Sequence, residues 1–147
     1  MGKLQTLIDV GAPERILLVS VVTPEATLLE TPAQFVALPL YDGELGVLPG
    51  RSPFIGRLGY GELRVVEGEK TLRYYIDGGF VQVAKNNVSI LTNHAVPAEN
   101  LDASAARDEL DAARARKATT PELLEIRRRA QLQARAKVRV AERRRAR

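Results

Sequence analysis

The chemistry concentrated in this sequence is charge rather than catalysis. Between Pro121 and Arg147 stand ten Arg or Lys against three Asp or Glu. Arg outnumbers Lys there, and a guanidinium grips a carboxylate through two parallel hydrogen bonds where an ammonium acts as a point charge. Such a segment suits an acidic protein partner or a nucleic-acid backbone. The bland reading is a solvated helix whose last cations, Arg143, Arg144, Arg145 and Arg147, complement the helix macrodipole. Neither a recognition motif nor a stacking aromatic accompanies the cations, so an acidic partner is favoured. A nucleic-acid-binding module acting through this Arg-rich helix is the alternative. A second candidate is Glu44, presented beside Asp42-Gly43, the preferred pair for a tight hairpin turn.

Catalytic constellations are missing. The single histidine, His94, has no Cys and no clustered carboxylates around it, and reads as a surface or packing residue. Ser20, Ser52, Ser89 and Ser104 lack a nucleophile-elbow context. Leu58-Gly59-Tyr60-Gly61 reads as a turn before a strand rather than a phosphate cradle. Glu67 and Glu69 flank a hairpin turn, where a solvated role is expected. The chain is therefore expected to be no enzyme by itself, and to hold no metal.

The elements that must position these groups divide the chain in two. Residues 1–100 carry 8 Lys or Arg against 11 Asp or Glu, and residues 101–147 carry 14 against 7, so the net +4 comes from the tail. Up to about residue 95 the apolar spacing is short and broken by turns, the pattern of strands. Ile16 to Val22, Ala26 to Leu29, Phe35 to Leu40 and Leu45 to Leu48 come first. Glu62 to Val66 and Thr71 to Ile76 follow, flanking a turn at Gly68-Glu69. Asp77-Gly78-Gly79 is expected to bend the chain into Phe80 to Val83, and Lys85-Asn86-Asn87 to return it through Val88 to Leu91. Short strands without helical crossovers predict a largely antiparallel sandwich or flattened barrel. After Pro97 the period changes. Asp102 caps a helix with Ala103, Ala106, Leu110 and Ala113 on one face. Thr120-Pro121 opens a second, with a seam of Leu123, Ile126, Ala130, Ala134, Val138 and Ala141. The expected domains are a lead-in over 1–14, a sandwich over 15–97 and a helical hairpin over 98–147. No apolar run reaches the ~20 residues of a membrane span, and no signal peptide is evident. The absence of Cys fits a reducing cytoplasm.

Three stretches in this order, V-T-P-E at Val22 to Glu25, Y-D-G-E-L-G-V-L-P-G-R from Tyr41 to Arg51, and G-G-F-V-Q-V-A-K-N-N-V-S-I-L-T from Gly78 to Thr92, resemble the epsilon subunit of bacterial F-type ATP synthases. The resemblance runs from Ile16 to the C-terminus. It implies a mainly β fold with an α appendage: a ten-stranded antiparallel β-sandwich followed by an antiparallel two-helix hairpin. It further implies a non-catalytic central-stalk subunit on the cytoplasmic face of the inner membrane, reaching that membrane only through the complex. Tyr41, Asp42, Gly43, Glu44 and Arg51 would meet the c-ring; members commonly have His where Arg51 stands. Gly79, Phe80, Val81 and Val83 would meet the gamma subunit. The hairpin would be a movable restraint on ATP hydrolysis, with Arg127, Arg128, Arg129, Arg135, Lys137 and Arg139 engaging the α/β catalytic head. No cofactor is implied, except that some members bind ATP as a regulator through [I/L]-D-x-x-R-A. The aligned stretch here, Leu101 to Ala106, lacks the Arg. A full copy with Asp111 and Arg114 comes nine residues later, a half-turn round the helix.

Overall fold

Leu17, Val19 and Val21 are buried in β1 (Leu17–Val22) while the residues between them are half-buried, the two-residue period of a pleated strand. The structure, a computed structural model, describes residues 16–145, so the expected lead-in over 1–14 lies outside the described residues. After β1 come β2 (Thr27–Ala33), β3 (Phe35–Leu40), β4 (Gly43–Val47), β5 (Phe54–Glu67), β6 (Lys70–Ala84), β7 (Asn87–Leu91) and β8 (Ala95–Pro97). They are hydrogen-bonded in the order β2-β1-β7-β6-β5-β3-β4, with β8 joined to β6. Pairing is antiparallel as expected, apart from β1 with β7, which is parallel.

Eight strands are found among the described residues rather than ten, chiefly because two of them are long. β5 has 14 residues and β6 has 15. Asp77-Gly78-Gly79 bends β6 without ending it, since Tyr60 pairs with Asp77 on one side and Leu58 with Gly79 on the other. At Gly79 φ is +114°, and a Cβ would lie 1.9 Å from the Leu91 carbonyl oxygen, so only glycine lets β7 approach there. Both halves of the bent ribbon feed one core. Leu63, Val65 and Ile76 come from one half, Leu58, Val81 and Val83 from the other, packed with Leu17, Val36, Leu38 and Ile90.

The β3–β4 turn departs from expectation. Leu40 pairs with Gly43, so Tyr41-Asp42 form the loop and Glu44 lies inside β4 opposite Pro39. Positive φ occurs there at Gly43 and not at Asp42, which excludes the type I′ turn. That backbone is found instead at Lys85 and Asn86, with φ of 50° and 64°, between β6 and β7.

A 3₁₀ turn (Ala98–Asn100) leads to α1 (Ala103–Ala115) and α2 (Pro121–Arg145). The Asp102 side chain accepts from the Ser104 amide at 2.9 Å, and Thr120 Oγ1 from the Leu123 amide at 3.2 Å, so both expected caps are present. α1 buries Ala103, Ala106, Leu110 and Ala113, the seam read from the sequence. The α2 seam holds only in its second half. Ala134 and Ala141 are buried and Ala130 and Val138 half-buried, but Leu123 and Ile126 are exposed. The reason is register: Arg107 pairs with Glu142 and Glu109 with Lys137, which sets α1 beside the second half of α2. Leu123 and Ile126 therefore project past the end of α1. A second face of α2, Ala136 and Val140, packs on Tyr75 and Ala98 of the sandwich.

Candidate interface between the hairpin and the sheet

Where α2 crosses the sheet it leaves a groove of about 1140 Å³. Its sheet side includes Tyr41, Glu44, Arg57, Glu62, Asp77 and Phe80, and its helix side Arg128, Arg129, Arg139 and Arg143. Thus the β3–β4 edge, the start of the second half of β6 and the basic helix share one surface.

The most enclosed charged side chain of the groove lining is Glu62, 6% exposed. Leu63 and Val65 turn into the core, so the period of two sends Glu62 and Arg64 to the opposite face. Register sets Glu62 opposite Tyr75, and Arg64 opposite Arg73. Two guanidiniums facing each other across a ladder repel, and Glu62 offsets that repulsion. Its Oε1 lies 3.4 Å from Arg73 Nη1 and 3.8 Å from Arg64 Nε. Arg143 of α2 donates to the same oxygen at 3.0 Å. Beside this cluster the Tyr75 hydroxyl donates to Asp77 Oδ1 at 3.3 Å, and Gln133 Nε2 donates to the same oxygen at 2.8 Å. Burial pushes the Tyr75 phenol far above its ordinary pKa, and the adjacent Asp77 charge adds to this, so it stays a donor. Lys137 Nζ stands 5.7 Å from the Tyr75 ring centroid while pairing with Glu109 of α1 at 3.1 Å.

The residues expected at the c-ring divide. Tyr41, Asp42, Gly43 and Glu44 are exposed. Tyr41 lies under the Arg57 guanidinium at 4.5 Å, and Glu44 pairs with Arg64 at 3.1 Å. Arg51 is exposed over the Phe54 ring at 5.1 Å and does not line the groove. Of the residues expected at gamma, Gly79 and Phe80 line the groove, and Phe80 is 59% exposed. Val81 and Val83 do not reach the surface: both are 1% exposed, because strand alternation turns them into the core. Phe80 and Ile55 of that half-ribbon are exposed apolar residues, as is Leu91 of β7, which pairs with Phe80.

The six helix cations also separate. Arg128, Arg129 and Arg139 line the groove. Arg127 donates to the Arg116 carbonyl at the end of α1, at 3.4 Å, and Arg135 is exposed. Asp111 and Arg114 are exposed on α1 and outside the groove, away from its buried seam. Sequence reasoning missed Glu62, Asp77, Gln133 and Arg143. Counting outward from the Gly68-Glu69 turn would have paired Glu62 with Tyr75 and Arg64 with Arg73, but nothing local announced the helix that covers them.

Among the described residues no group of three or more His, Cys, Asp or Glu could hold a metal ion, and no helix is long and apolar enough to cross a membrane. The family described as ATP synthase, Delta/Epsilon chain, beta-sandwich domain matches residues 16–98. The ATP synthase epsilon chain of Rhodopirellula baltica is 47% identical over 121 residues, covering 82% of this chain and 94% of that protein. That of a Synechococcus strain is 39% identical over 97 residues, covering 66% and 71%. Among solved structures, a chain of the Euglena gracilis mitochondrial ATP synthase (OSCP/F1/c-ring) superposes with a TM-score of 0.71 at 26% identity, covering 90% of this chain and 81% of that one. A chain of the Tetrahymena thermophila ATP synthase central stalk and c-ring gives 0.68 at 14% identity, covering 85% and 96%, a likeness of fold alone.

Proposed function

The chain belongs to the ATP synthase delta/epsilon-chain family, and on that premise we propose that it is a non-catalytic rotor subunit whose helical hairpin restrains ATP hydrolysis. The sandwich joins the gamma subunit to the c-ring of a proton-translocating enzyme, at the cytoplasmic face of a bacterial inner membrane. Phe80 and its exposed apolar neighbours Ile55 and Leu91 serve gamma, while Tyr41 to Glu44 serve the polar loops of the c-ring.

The restraint rests on one observation: α2 meets the sheet through a small contact, Ala136 and Val140 on Tyr75, Lys137 over the Tyr75 ring, and hydrogen bonds from Gln133 and Arg143. Burying Val140, Ala136 and the face of Tyr75 that they cover contributes on the order of 3–5 kcal/mol at about 25 cal/mol per Å². An ion pair with a half-exposed Arg adds no more than about 1 kcal/mol. A docked state held this lightly exchanges with an extended one for a few kcal/mol. Once extended, Arg128, Arg129 and Arg139 meet acidic groups of the catalytic head, where desolvation strengthens charge-assisted bonds. The test is an assembled enzyme whose subunit ends after Asn100. Hydrolysis should rise and ATP synthesis persist; unchanged hydrolysis would remove the restraint from this reading.

A further inference from the structure

We propose that Arg64 couples the acidic edge at Glu44 to the grip on the hairpin, so that a cationic partner taking Glu44 releases α2. The proposal deepens the rotor reading by naming what triggers extension. Three contacts form the link. Arg64 Nη2 holds Glu44 Oε1 at 3.1 Å, Arg64 Nε stands 3.8 Å from Glu62 Oε1, and Arg143 Nη1 donates to that same oxygen at 3.0 Å. Arg73 Nη1 is also within 3.4 Å of it.

Glu62 Oε1 is thus sought by three guanidiniums, and a carboxylate oxygen has about two lone-pair sites. Arg64 stays at the edge of this competition because Glu44 holds its other end. Glu44 is half-exposed and open to a partner, whereas the Glu62 side chain is 4% exposed and must be satisfied from within. When a Lys or Arg of a partner claims Glu44, Arg64 loses that carboxylate and closes on Glu62. It then occupies the oxygen that Arg143 uses and sets a second full positive charge beside it. Arg143, on the mobile element, is the member that leaves. Linkage makes the effect reciprocal: a docked hairpin weakens the partner's hold on Glu44 by the same factor.

The isolated full-length chain tests this by amide hydrogen exchange in the second half of α2. E44Q mimics the occupied edge by removing the competing carboxylate at an exposed position. It should raise exchange of the α2 amides several-fold, on the order of five, while the amides of β5 and β6 keep their protection. E44Q combined with R64Q removes the competitor and should return α2 to wild-type protection. Unchanged exchange in E44Q overturns the proposal, as does a double variant as open as E44Q alone. ATP hydrolysis is not read in this assay, so its failure leaves the rotor reading intact, and failure of the truncation test leaves this coupling intact.

Discussion

Glu62 and Arg143 lie 81 residues apart in sequence and 3.0 Å apart in space, joining a central strand to the far end of the last helix. The two partners are unequal. Glu62 is enclosed and also balances Arg64 and Arg73, while Arg143 is half-exposed and serves the docked hairpin.

Glu62→Gln should therefore destabilise the sandwich by about 3 kcal/mol, because the enclosed Arg73 loses its counter-charge while Arg64 keeps Glu44. Arg143→Ala should cost under about 1 kcal/mol globally. Urea denaturation separates them, and equal losses would show that Glu62 matters only as a hairpin contact.

Residues 16–100 are expected to fold without the helices, since the main core draws on strands alone. A chain ending after Asn100 should unfold cooperatively and still join gamma, while newly exposed Tyr75 and Val96 should increase binding of an apolar dye. A non-cooperative transition would make the hairpin part of the folding unit.

Glu44→Lys should loosen proton coupling in membranes. It should change the stability of the isolated chain by no more than about 1 kcal/mol, the scale of an exposed ion pair. Coupling as tight as wild type would leave Glu44 only its partnership with Arg64.

The helix cations should act with opposite signs. Changing Arg128, Arg129 and Arg139 to Ala removes groups that line the groove without tying α2 to α1, and should raise hydrolysis in the assembled enzyme. Lys137→Ala removes contacts to Glu109 and Tyr75, favours the extended hairpin and should lower hydrolysis. If both variants shift the rate in one direction, the docked and extended states do not compete as argued.

Tyr75 gives the chain an alkaline limit. Its folded-state pKa is raised, so the folded chain keeps a proton that the unfolded chain releases above its ordinary pKa of about 10. Stability is full below that pH and falls above it, by at most about 1.4 kcal/mol per pH unit from this group. Tyr75→Phe should flatten the decline in thermal midpoint between pH 10 and 11.5; an unaltered slope would assign the loss elsewhere.

Local chemistry made the helices legible. Asp102, Thr120 and Pro121 fix helix starts through backbone groups a few residues away, and the α1 seam needs only a period. Leu123 and Ile126 fit that period equally well, yet their exposure depends on where α1 ends relative to α2, a matter of tertiary register. The glycines at 78 and 79 read as a break because positive φ usually ends a strand. Here the neighbouring strands continue the ladder past the bend. The groove escaped for the same reason: Glu62 and Asp77 belong to strands, Gln133 and Arg143 to a helix, and only docking brings them together.

The parallel pairing of β1 with β7 has a mechanical consequence. Tension between the two chain ends enters β1 at its start and leaves β7 at Leu91, opposite ends of the pair, and so shears its hydrogen bonds together instead of opening them one after another. The hairpin meets the sheet through a few contacts that part singly. Strain imposed on the molecule should therefore free the helices long before the sheet yields, and stretching a single molecule from both ends would register that order as a small early step followed by a large late one.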